Sequence, residues 1–411
     1  QGFSFKLVAN GTELDLFADE DILVSDNVTG LFDIGVLPSD FTRQITVPGT
    51  KVNNAFFEHV YDISVINPYL FATNVKVLQV EASKDNQHSY QSYKGVPVLR
   101  EAVAGWYKKY FKVADLNPAT EILPLLGSKE GIMHICMTYL NEGDQVLIPN
   151  PGYPTYTSAV KLAGGIPLYY ELTADNSWAP DFENLEKSDL SKVKLMWVNY
   201  PHMPTGQRPT KELFEKIVAF GIKHQILICH DNPYAFILND KPESLLSIDR
   251  AKEVVIELNS LSKSQNMAGW RVGMLIAAED RINEILRFKS NMDSGMFLPV
   301  QLAAAKALSL DQSWYDSVNK IYTARREKVF ELLDVLKCVY TKQQVGMFVW
   351  AKIPATYKDA YALSDKVLYD ANVFITPGGI FGSAGNDYIR MSLCGSIEKF
   401  SEAIKRIEAC V

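Results

Sequence analysis

Short apolar runs separated by helical segments organise most of the chain. From residue 88 onward these runs show little alternation between apolar and polar positions. Strands that are buried on both faces have this pattern, and the helices between them form the crossovers of a parallel sheet. The pattern therefore predicts an α/β fold, with a mostly parallel central sheet and helices on both of its faces. The strands are predicted at 121–126, 145–149, 167–172, 193–200, 225–231, 254–258 and 272–278, and the helices at 98–107, 129–139, 155–163, 211–224, 282–289, 299–309 and 317–336.

The two ends of the chain differ from this central part. Residues 1–87 alternate apolar and polar positions, as half-buried strands do, and Asn10-Gly11 is a hairpin turn signal. Helices and strands are mixed toward the C-terminus. We predict a β-rich N-terminal segment of unknown role (1–87), a large domain (88–309) and a smaller α+β C-terminal domain (310–411). The end strands are predicted at 3–8, 13–17, 22–24, 44–47, 346–353, 373–376 and 388–393, and the end helices at 357–371 and 397–410.

Composition narrows the class of protein. The 411 residues are 47% hydrophobic and 22% charged, as in ordinary globular proteins. A net charge of −7 argues against a nucleic-acid partner, because such a partner requires clustered positive charge. No apolar run approaches the roughly 18 residues of a membrane span, and the first residues show no signal-peptide pattern. We expect a cytoplasmic protein without a membrane partner.

The spacing of cysteines and histidines gives no sign of a metal site. The five cysteines are scattered and fit neither a zinc motif nor a disulfide framework. The six histidines form no pair separated by three residues. We expect free thiols in a reducing compartment and no bound metal.

The segment from Ser260 to Gly273 carries the clearest chemistry. Lys263 lies in it, between the strand-like runs 254–258 and 272–278. Burial disfavours a charged amine, and a neutral lysine is a nucleophile that forms Schiff bases with carbonyl compounds. A lone lysine is more often a solvated loop residue, so the neighbouring residues have to decide between the two interpretations.

Several polar residues follow predicted strands, where α/β sheets bind their ligands. Gly127-Ser128 precedes a predicted helix, and a helix N-terminus attracts anions. Arg271 adds a permanently charged fork that binds phosphate through two hydrogen bonds. Asp231 offers a carboxylate and Tyr153 a flat aromatic face. Together they suit a phosphorylated, protonated heteroaromatic ring that forms an imine with Lys263, which describes pyridoxal phosphate.

A set of motifs in a fixed order links the chain to a known family. They are Pro204-Thr205-Gly206, Asp231-x-x-Tyr234, Ser260-x-Ser262-Lys263, Arg271-Val272-Gly273 and Tyr388-Ile389-Arg390-Met391-Ser392. Residues 88–411 resemble the fold-type-I, class I/II aminotransferases, which include aspartate, alanine and LL-diaminopimelate aminotransferases. The resemblance implies a homodimer that uses pyridoxal phosphate to move an amino group from an α-amino acid to a 2-oxo acid, usually 2-oxoglutarate.

The resemblance also implies a role for each matching residue. Lys263 would hold the cofactor through a Schiff base and shuttle the proton of the substrate Cα. Asp231 would pair with the ring nitrogen and Tyr234 with the ring oxygen, while Tyr153 would stack on the ring. Arg390 would bind the substrate α-carboxylate. Taken singly, the tyrosines could be core aromatics, Asp231 a helix cap and Arg390 a member of a surface ion pair.

Residues from both subunits would hold the cofactor's phosphate. Those from the chain itself are Ser128, the backbone at Lys129, Ser260 and Arg271. Tyr90 would reach the phosphate bound by the partner subunit. Asn199, at the end of a predicted strand, is a further candidate cofactor-binding residue.

Two features depart from the family pattern. Met203 stands where the family usually has an asparagine that contacts the ring oxygen and the substrate carboxylate, and a thioether cannot donate that hydrogen bond. Asn199 or His202 could compensate. Residues 1–87 also lack the glycine-rich stretch that lines the family's substrate pocket. We therefore expect a weakened dimer and an incomplete substrate pocket, to which residues 290–295 are a candidate contributor.

Two other functions stay open. A β-lyase uses the same fold and the same lysine, and would release pyruvate and ammonia from a sulfur amino acid. Alternatively, the chain could be a catalytically impaired scaffold whose N-terminal segment is an interaction module. Met203 and the unrecognised N-terminal segment favour that second hypothesis.

Overall fold

The computed structural model describes residues 87–410, the isolated positions 82, 84 and 85, and the backbone of two earlier strands. The chain divides into two compact units, residues 1–87 and residues 88–411. In the first unit, β1 (Asp40–Pro48) and β2 (Glu58–Ile66) pair antiparallel. β1 contains the strand predicted at 44–47. The predicted strands at 3–8, 13–17 and 22–24, and the hairpin at Asn10-Gly11, lie outside the described residues.

The second unit is built on a seven-stranded sheet. Its strands are β3 (Ile122–Leu125), β4 (Gln145–Asn150), β5 (Ile166–Glu171), β6 (Val193–Asn199), β7 (Leu227–Asp231), β8 (Val255–Ser260) and β9 (Gly273–Ile276). They lie in the order β3-β9-β8-β7-β6-β4-β5. β4 to β8 run parallel, and only β9 is antiparallel to both of its neighbours. The predicted mostly parallel sheet is confirmed.

Helices connect these strands and cover the sheet. They are α1 (Pro97–Phe111), α2 (Ser128–Tyr139), α3 (Pro154–Leu162), α4 (Phe182–Leu185), α5 (Lys211–His224), α6 (Leu261–Ser264), α7 (Glu279–Lys289), α8 (Leu298–Leu308) and α9 (Gln312–Val335). Side chains of α2, α3 and α7 pack with fully buried strand residues such as Leu123, Trp197 and Ile256. Within the described part of the chain, none of the helices is both long enough and apolar enough to cross a membrane.

A three-stranded antiparallel sheet has its own hydrophobic core. Its strands are β10 (Phe348–Lys352), β11 (Thr376–Pro377) and β12 (Tyr388–Ser392), in the order β10-β12-β11, and the helices α10 (Ala360–Ala371) and α11 (Ile397–Glu408) pack against it. The strand predicted at 373–376 is largely wrong, since pairing begins only at Thr376. Residues 373–375 connect α10 to the sheet edge, and the Phe374 side chain is exposed.

Close packing places the N-terminus of α2 against the central sheet. Gly131, in the second turn of α2, faces Leu125 of β3 and Leu258 of β8. A Cβ at Gly131 would lie 2.6 Å from Leu125 Cδ1 and 2.6 Å from Leu258 Cδ2. Real Cβ atoms are not found this close to other heavy atoms, so the helix approaches the sheet only because this side chain is missing.

We expect Gly131→Ala to lower the free energy of unfolding by about 1–3 kcal/mol, because the added methyl group overpacks this contact. Gly105→Ala, in the interior of α1, is the matched control, since no atom lies within 4 Å of its Cβ position. That variant should be more stable by about 0.5–1 kcal/mol, because alanine restricts the unfolded helix segment. Urea unfolding measures both, and similar effects at the two glycines would contradict the packing argument.

Candidate active site

Three neighbouring strands end in polar residues at one edge of the central sheet. Asn199, Asp231 and Ser260 are the last residues of β6, β7 and β8, and all three are buried. Because these strands run parallel, their carboxyl ends lie at the same edge. This edge is where open α/β sheets bind ligands.

The Asp231 carboxylate is the most constrained group at this edge. Its Oδ2 atom accepts a hydrogen bond of 3.0 Å from the Tyr156 hydroxyl. Its Oδ1 atom is buried and has no hydrogen-bond partner among the described residues. Burial raises the pKa of Asp231 to about 6, although the Tyr156 hydrogen bond and the positive charge of His230 lower that pKa. The orphaned oxygen is therefore a buried acceptor that suits a positively charged N–H donor.

The backbone at Gly127 and Gly273 forms a cradle at the same edge of the sheet as Asp231. Gly127 has φ +93° and caps the N-terminus of α2, and a Cβ there would overlap the Arg271 guanidinium. A Cβ at Gly273 would lie 2.5 Å from the backbone N of Ser128. The cradle therefore combines free N–H groups at the start of a helix with a guanidinium, as phosphate binding requires.

Ser260, the last residue of β8, lies beside Gly273 of the cradle. Its Oγ atom donates a 2.9 Å hydrogen bond to Ser262 Oγ and accepts one of 3.1 Å from the Ser262 N–H. These contacts start the short helix α6, on which Lys263 lies. Lys263 is half-buried rather than buried, because α6 sits beyond the end of β8. Desolvation on its own is therefore a weaker argument for a neutral amine than the sequence suggested.

Two tyrosines pack against the small cluster formed by Met203, Trp350 and Phe381. Tyr153 precedes α3, half-buried, with the Lys129 ammonium 5.8 Å from its ring centroid. Tyr234 packs edge-on against Phe348, with 5.8 Å between ring centroids. Burial raises the pKa of Tyr234. Its phenol therefore stays protonated at neutral pH and can donate a hydrogen bond.

Arg390 of β12 is held between aromatic rings. Its Cζ atom lies 4.0 Å from the Phe348 ring centroid and 4.7 Å from that of Phe381. Its Nη1 atom lies 3.8 Å from Met203 Sδ. Such contacts are attractive and restrict the plane of the guanidinium. The rings of Phe348, Phe381, Trp350, Tyr388 and Trp178, here called the aromatic wall, form one packed group next to Arg390.

The turn that carries Met203 is fixed by Asn199 rather than by the methionine side chain. Asn199 Oδ1 accepts a 2.7 Å hydrogen bond from the Met203 N–H, and Asn199 Nδ2 donates to the Asp231 carbonyl. His202 contacts Thr205 Oγ1 through Nδ1 at 2.8 Å, and burial lowers the pKa of His202 to about 3. Asn199 thus positions the backbone, and His202 is neutral and turned toward Thr205, so neither takes over the role of the missing asparagine.

Some functional residues were missed by sequence reasoning. Tyr156 lies one turn after Tyr153 on α3, and this spacing of three was the signal that could have identified it. Phe348 and Phe381, which contact Arg390, carried no such signal. Tyr90 is 90% exposed in the single chain. Within the segment 290–295, Gly295 packs against Gln91 and Ser92, and a Cβ at Gly295 would lie 2.5 Å from the Gln91 carbonyl oxygen.

One group of side chains has metal-ligand chemistry. Ligand atoms of Glu130, His134 and Asp293 lie within 4.8 Å of one another. The buried Lys289 ammonium is 2.8 Å from Asp293 Oδ2 and already supplies positive charge to this group. A divalent cation would be repelled by that ammonium, so the cluster is better described as an ion-pair network.

Comparison with known proteins identifies the family. The model of the family "Aminotransferase class I and II" matches residues 65–407. The LL-diaminopimelate aminotransferase of Dehalococcoides mccartyi strain 195 is 41% identical over 322 residues, which cover 78% of this chain and 82% of that protein. The Aquifex aeolicus protein of the same name is 36% identical over 353 residues, with coverages of 85% and 91%.

Solved structures of similar chains agree in fold. Substrate-bound BacF from Bacillus subtilis is 36% identical with a TM-score of 0.78, covering 82% of this chain and 86% of that chain. The aromatic aminotransferase from Pyrococcus horikoshii is 30% identical with a TM-score of 0.77, with coverages of 82% and 91%. The match to the family begins at residue 65, upstream of the boundary at residue 88 that the motifs suggested. The chain therefore belongs to the class I and II aminotransferases and is a pyridoxal-phosphate-dependent transaminase.

Proposed function

We propose that this chain transfers the amino group of an α-amino acid to 2-oxoglutarate, with its chemistry at the edge formed by Asn199, Asp231 and Ser260. One observation carries the assignment of the site. A buried carboxylate oxygen of Asp231 has no hydrogen-bond partner among the residues that the structure describes, and the backbone cradle at Gly127 and Gly273 lies at the same sheet edge. The ring nitrogen and the phosphate of pyridoxal phosphate require these two features.

The residues at this edge divide the binding of the cofactor among them. Asp231 would accept the hydrogen bond of the protonated ring nitrogen, Tyr234 would donate to the ring oxygen, and Tyr153 would contact the face of the ring. The phosphate is held by Ser128, the Lys129 N–H, Ser260 and Arg271. When bound, the cofactor supplies an electron sink that allows the substrate Cα–H bond to break.

Lys263 and Arg390 act on the substrate. The Lys263 amine attaches the cofactor and removes the proton from the substrate Cα. Arg390 binds the α-carboxylate through two parallel hydrogen bonds, and the rings of Phe348 and Phe381 hold its guanidinium in the required plane. Asn199 contributes indirectly, because it fixes the carbonyl of Asp231 and the turn at Met203.

The aromatic wall favours a donor with an apolar or aromatic side chain. Trp350 stacks on Tyr388 at 5.1 Å, and Trp178 packs edge-on against both rings. A second ammonium and carboxylate, as in diaminopimelate, would lose hydration against such a surface. The names of the relatives favour diaminopimelate as the donor. The aromatic wall favours an aromatic amino acid, and we propose a donor of this second class.

We also propose a homodimer, in which Tyr90 reaches the phosphate bound by the partner subunit. Two features support it. Tyr90 is 90% exposed and therefore accessible to a second subunit. Leu126 and Leu162 expose apolar side chains and line the same surface cavity of about 420 Å³, which opens beside Arg271. Contiguous apolar surface of this kind is typical of protein interfaces.

Two further assignments complete the proposal. The large domain at 88–309 and the small domain at 310–411 are supported by their separate sheets and cores. A cytoplasmic location is supported by three buried free thiols (Cys136, Cys229 and Cys338), and cell fractionation tests it.

We expect purified protein with pyridoxal phosphate to show a visible absorption band that an aromatic amino acid converts to that of the amine form of the cofactor. LL-diaminopimelate should convert the band more slowly, because its distal charges lose hydration. Stopped-flow spectroscopy with a panel of amino acids measures both rates. Faster conversion by LL-diaminopimelate would contradict the proposed donor class.

Two variants separate the cofactor site from the substrate site. Lys263→Ala should lose the band. Arg390→Lys should keep the band and raise the donor KM roughly 10–100-fold, because a lysine cannot form the bidentate contact. Formation of pyruvate and ammonia from cysteine would favour the β-lyase. A band that no amino acid converts would favour the impaired scaffold.

Asp231→Asn should stabilise the cofactor-free protein while it weakens cofactor binding. The folded-state pKa of Asp231, about 6, lies above its ordinary value of 3.8. The folded chain therefore holds a proton that the unfolded chain has released, and stability falls as pH rises between these two values. The asparagine side chain would not titrate, so Asp231→Asn avoids this loss of stability. Its free energy of unfolding at pH 7.5 should be higher by about 1–3 kcal/mol.

Urea unfolding of the cofactor-free protein at pH 4.5 and 7.5 measures this difference. The gain should be larger at pH 7.5. Asp249→Asn, at an exposed position, is the control and should change stability little at either pH. A loss of stability at pH 7.5 in Asp231→Asn would contradict the burial argument.

In the proposed dimer, Tyr90 contributes to cofactor binding in the partner subunit rather than in its own chain. Sedimentation should give a dimer, and Tyr90→Phe should lower cofactor affinity. Mixing this variant with Lys263→Ala should restore wild-type affinity at a fraction of the sites. Tyr369→Phe, at another exposed tyrosine, is the control. A monomer, or no restoration on mixing, would contradict the assignment.

A further inference from the structure

A buried ionic network lies behind Asp231, on the opposite face of the sheet. His230 and Glu257 are opposite each other on β7 and β8, and both are fully inaccessible to water. His230 Nδ1 lies 2.8 Å from Glu257 Oε2. Burying such a pair has a large desolvation cost, and apolar side chains would pack here at lower cost. The network therefore calls for a functional explanation.

Every neighbour of the Glu257 carboxylate is a hydrogen-bond donor. The Tyr107 hydroxyl donates to Oε1 at 2.8 Å, Ser244 Oγ lies within 2.9 Å of both oxygens, and the Leu245 N–H donates to Oε2 at 3.0 Å. Burial raises the pKa of Tyr107 well above its ordinary range, so this phenol remains a donor. A carboxylate accepts about four hydrogen bonds when it is ionised. Hydrogen bonds to a carboxylate stabilise its negative charge, so the donors Tyr107, Ser244 and the Leu245 N–H favour the ionised form of Glu257.

The contacts of His230 define its protonation. Its Nε2 atom lies 3.0 Å from the Tyr200 carbonyl oxygen, which can only accept. Its Nδ1 atom faces the ionised Glu257, which also can only accept. Both ring nitrogens must then carry hydrogen, and an imidazole with two N–H groups is a cation. The ring edge packs against Phe214 at 5.3 Å, and water does not reach it.

We propose that His230, held by Glu257, is a positioning residue that supplies a fixed positive charge behind Asp231 and keeps its carboxylate ionised for the ring nitrogen of the cofactor. This inference rests on the proposed role of Asp231. The charge is one residue away along β7, in a region where low dielectric strengthens electrostatic effects. The other titratable groups that interact with Asp231 are Tyr156 from α3 and Tyr234, and burial raises the pKa of both phenols, so neither of them replaces this charge.

The test is the pH dependence of cofactor affinity in a variant whose fold keeps the same hydrogen-bonding shape. His230→Gln alone would leave Glu257 buried and unpaired, which destabilises the fold. The double variant His230→Gln/Glu257→Gln removes both charges together. Its loss of cofactor affinity on acidification should have a midpoint higher by up to roughly one pH unit, because His230, next to Asp231 on β7, lowers the pKa of Asp231 more than Glu257 on the neighbouring strand raises it. The matched control is His224→Gln/Glu186→Gln, a surface pair of the same chemistry, which should leave the midpoint unchanged.

A second readout does not depend on the cofactor. Nitrogen NMR of labelled histidine should show His230 with both nitrogens protonated at pH 8, and Glu257→Gln should remove that signal. A neutral His230 at pH 7, or an unshifted midpoint in the double variant, would overturn the proposal. A uniform loss of affinity at all pH values would assign the pair a structural role only and would overturn it as well.

The outcome with Asp231→Asn separates this inference from the proposed function. Asp231→Asn could abolish the loss of cofactor affinity on acidification while the double variant leaves the midpoint of that loss unshifted. In that case the role of Asp231 stands and only the role of His230 fails. If Asp231→Asn leaves the loss of cofactor affinity on acidification unchanged, the proposed function of this carboxylate fails, and the inference fails with it.

Discussion

Keeping a carboxylate ionised at a buried sheet end is the constraint on which the site depends. Asp231 is 5% exposed, and burial raises its pKa. A phenol on α3 and the proposed cation on β7 oppose this rise, and one carboxylate oxygen has no partner within the described part of the chain. An apolar residue would give a more stable sheet end. The cofactor-free protein is therefore less stable than its fold allows, and a bound ring N–H offsets that loss.

The phosphate cradle likewise lowers local stability in order to create a binding site. Arg271 adopts φ 55°, a left-handed conformation that is unfavourable for a residue with a side chain. Its guanidinium then occupies the space that a side chain at Gly127 would fill. Gly273 allows β9 to start against the backbone of Ser128. Two missing side chains and one strained residue therefore create an opening at the N-terminus of α2, and the closely packed Gly131 fixes that helix in place.

Much of the fold and part of the site could be predicted because their signals are local. The buried strands are continuous apolar runs, and the cofactor motif of Ser260, Lys263 and Arg271 lies within a dozen residues. Tyr156, His230 and Glu257 were not found, because their roles arise from contacts between a helix and strands that are far apart in sequence. The strand at Thr376–Pro377 was misplaced, since only pairing with β12 defines where it begins. The burial of Lys263 was overestimated, because its helix begins beyond the strand end.

Met203 changes how the substrate carboxylate must be recognised. An asparagine there would give a directional hydrogen bond next to Arg390, whereas the thioether sulfur lies 3.8 Å from Nη1 and adds only a weak acceptor. The geometry that the amide would impose is supplied instead by Phe348 and Phe381, which lie on the guanidinium. Aromatic contacts fix the plane of Arg390 but donate nothing to the carboxylate. In the proposed site, recognition of the carboxylate therefore depends on the single charged fork of Arg390, which lies beside an apolar wall.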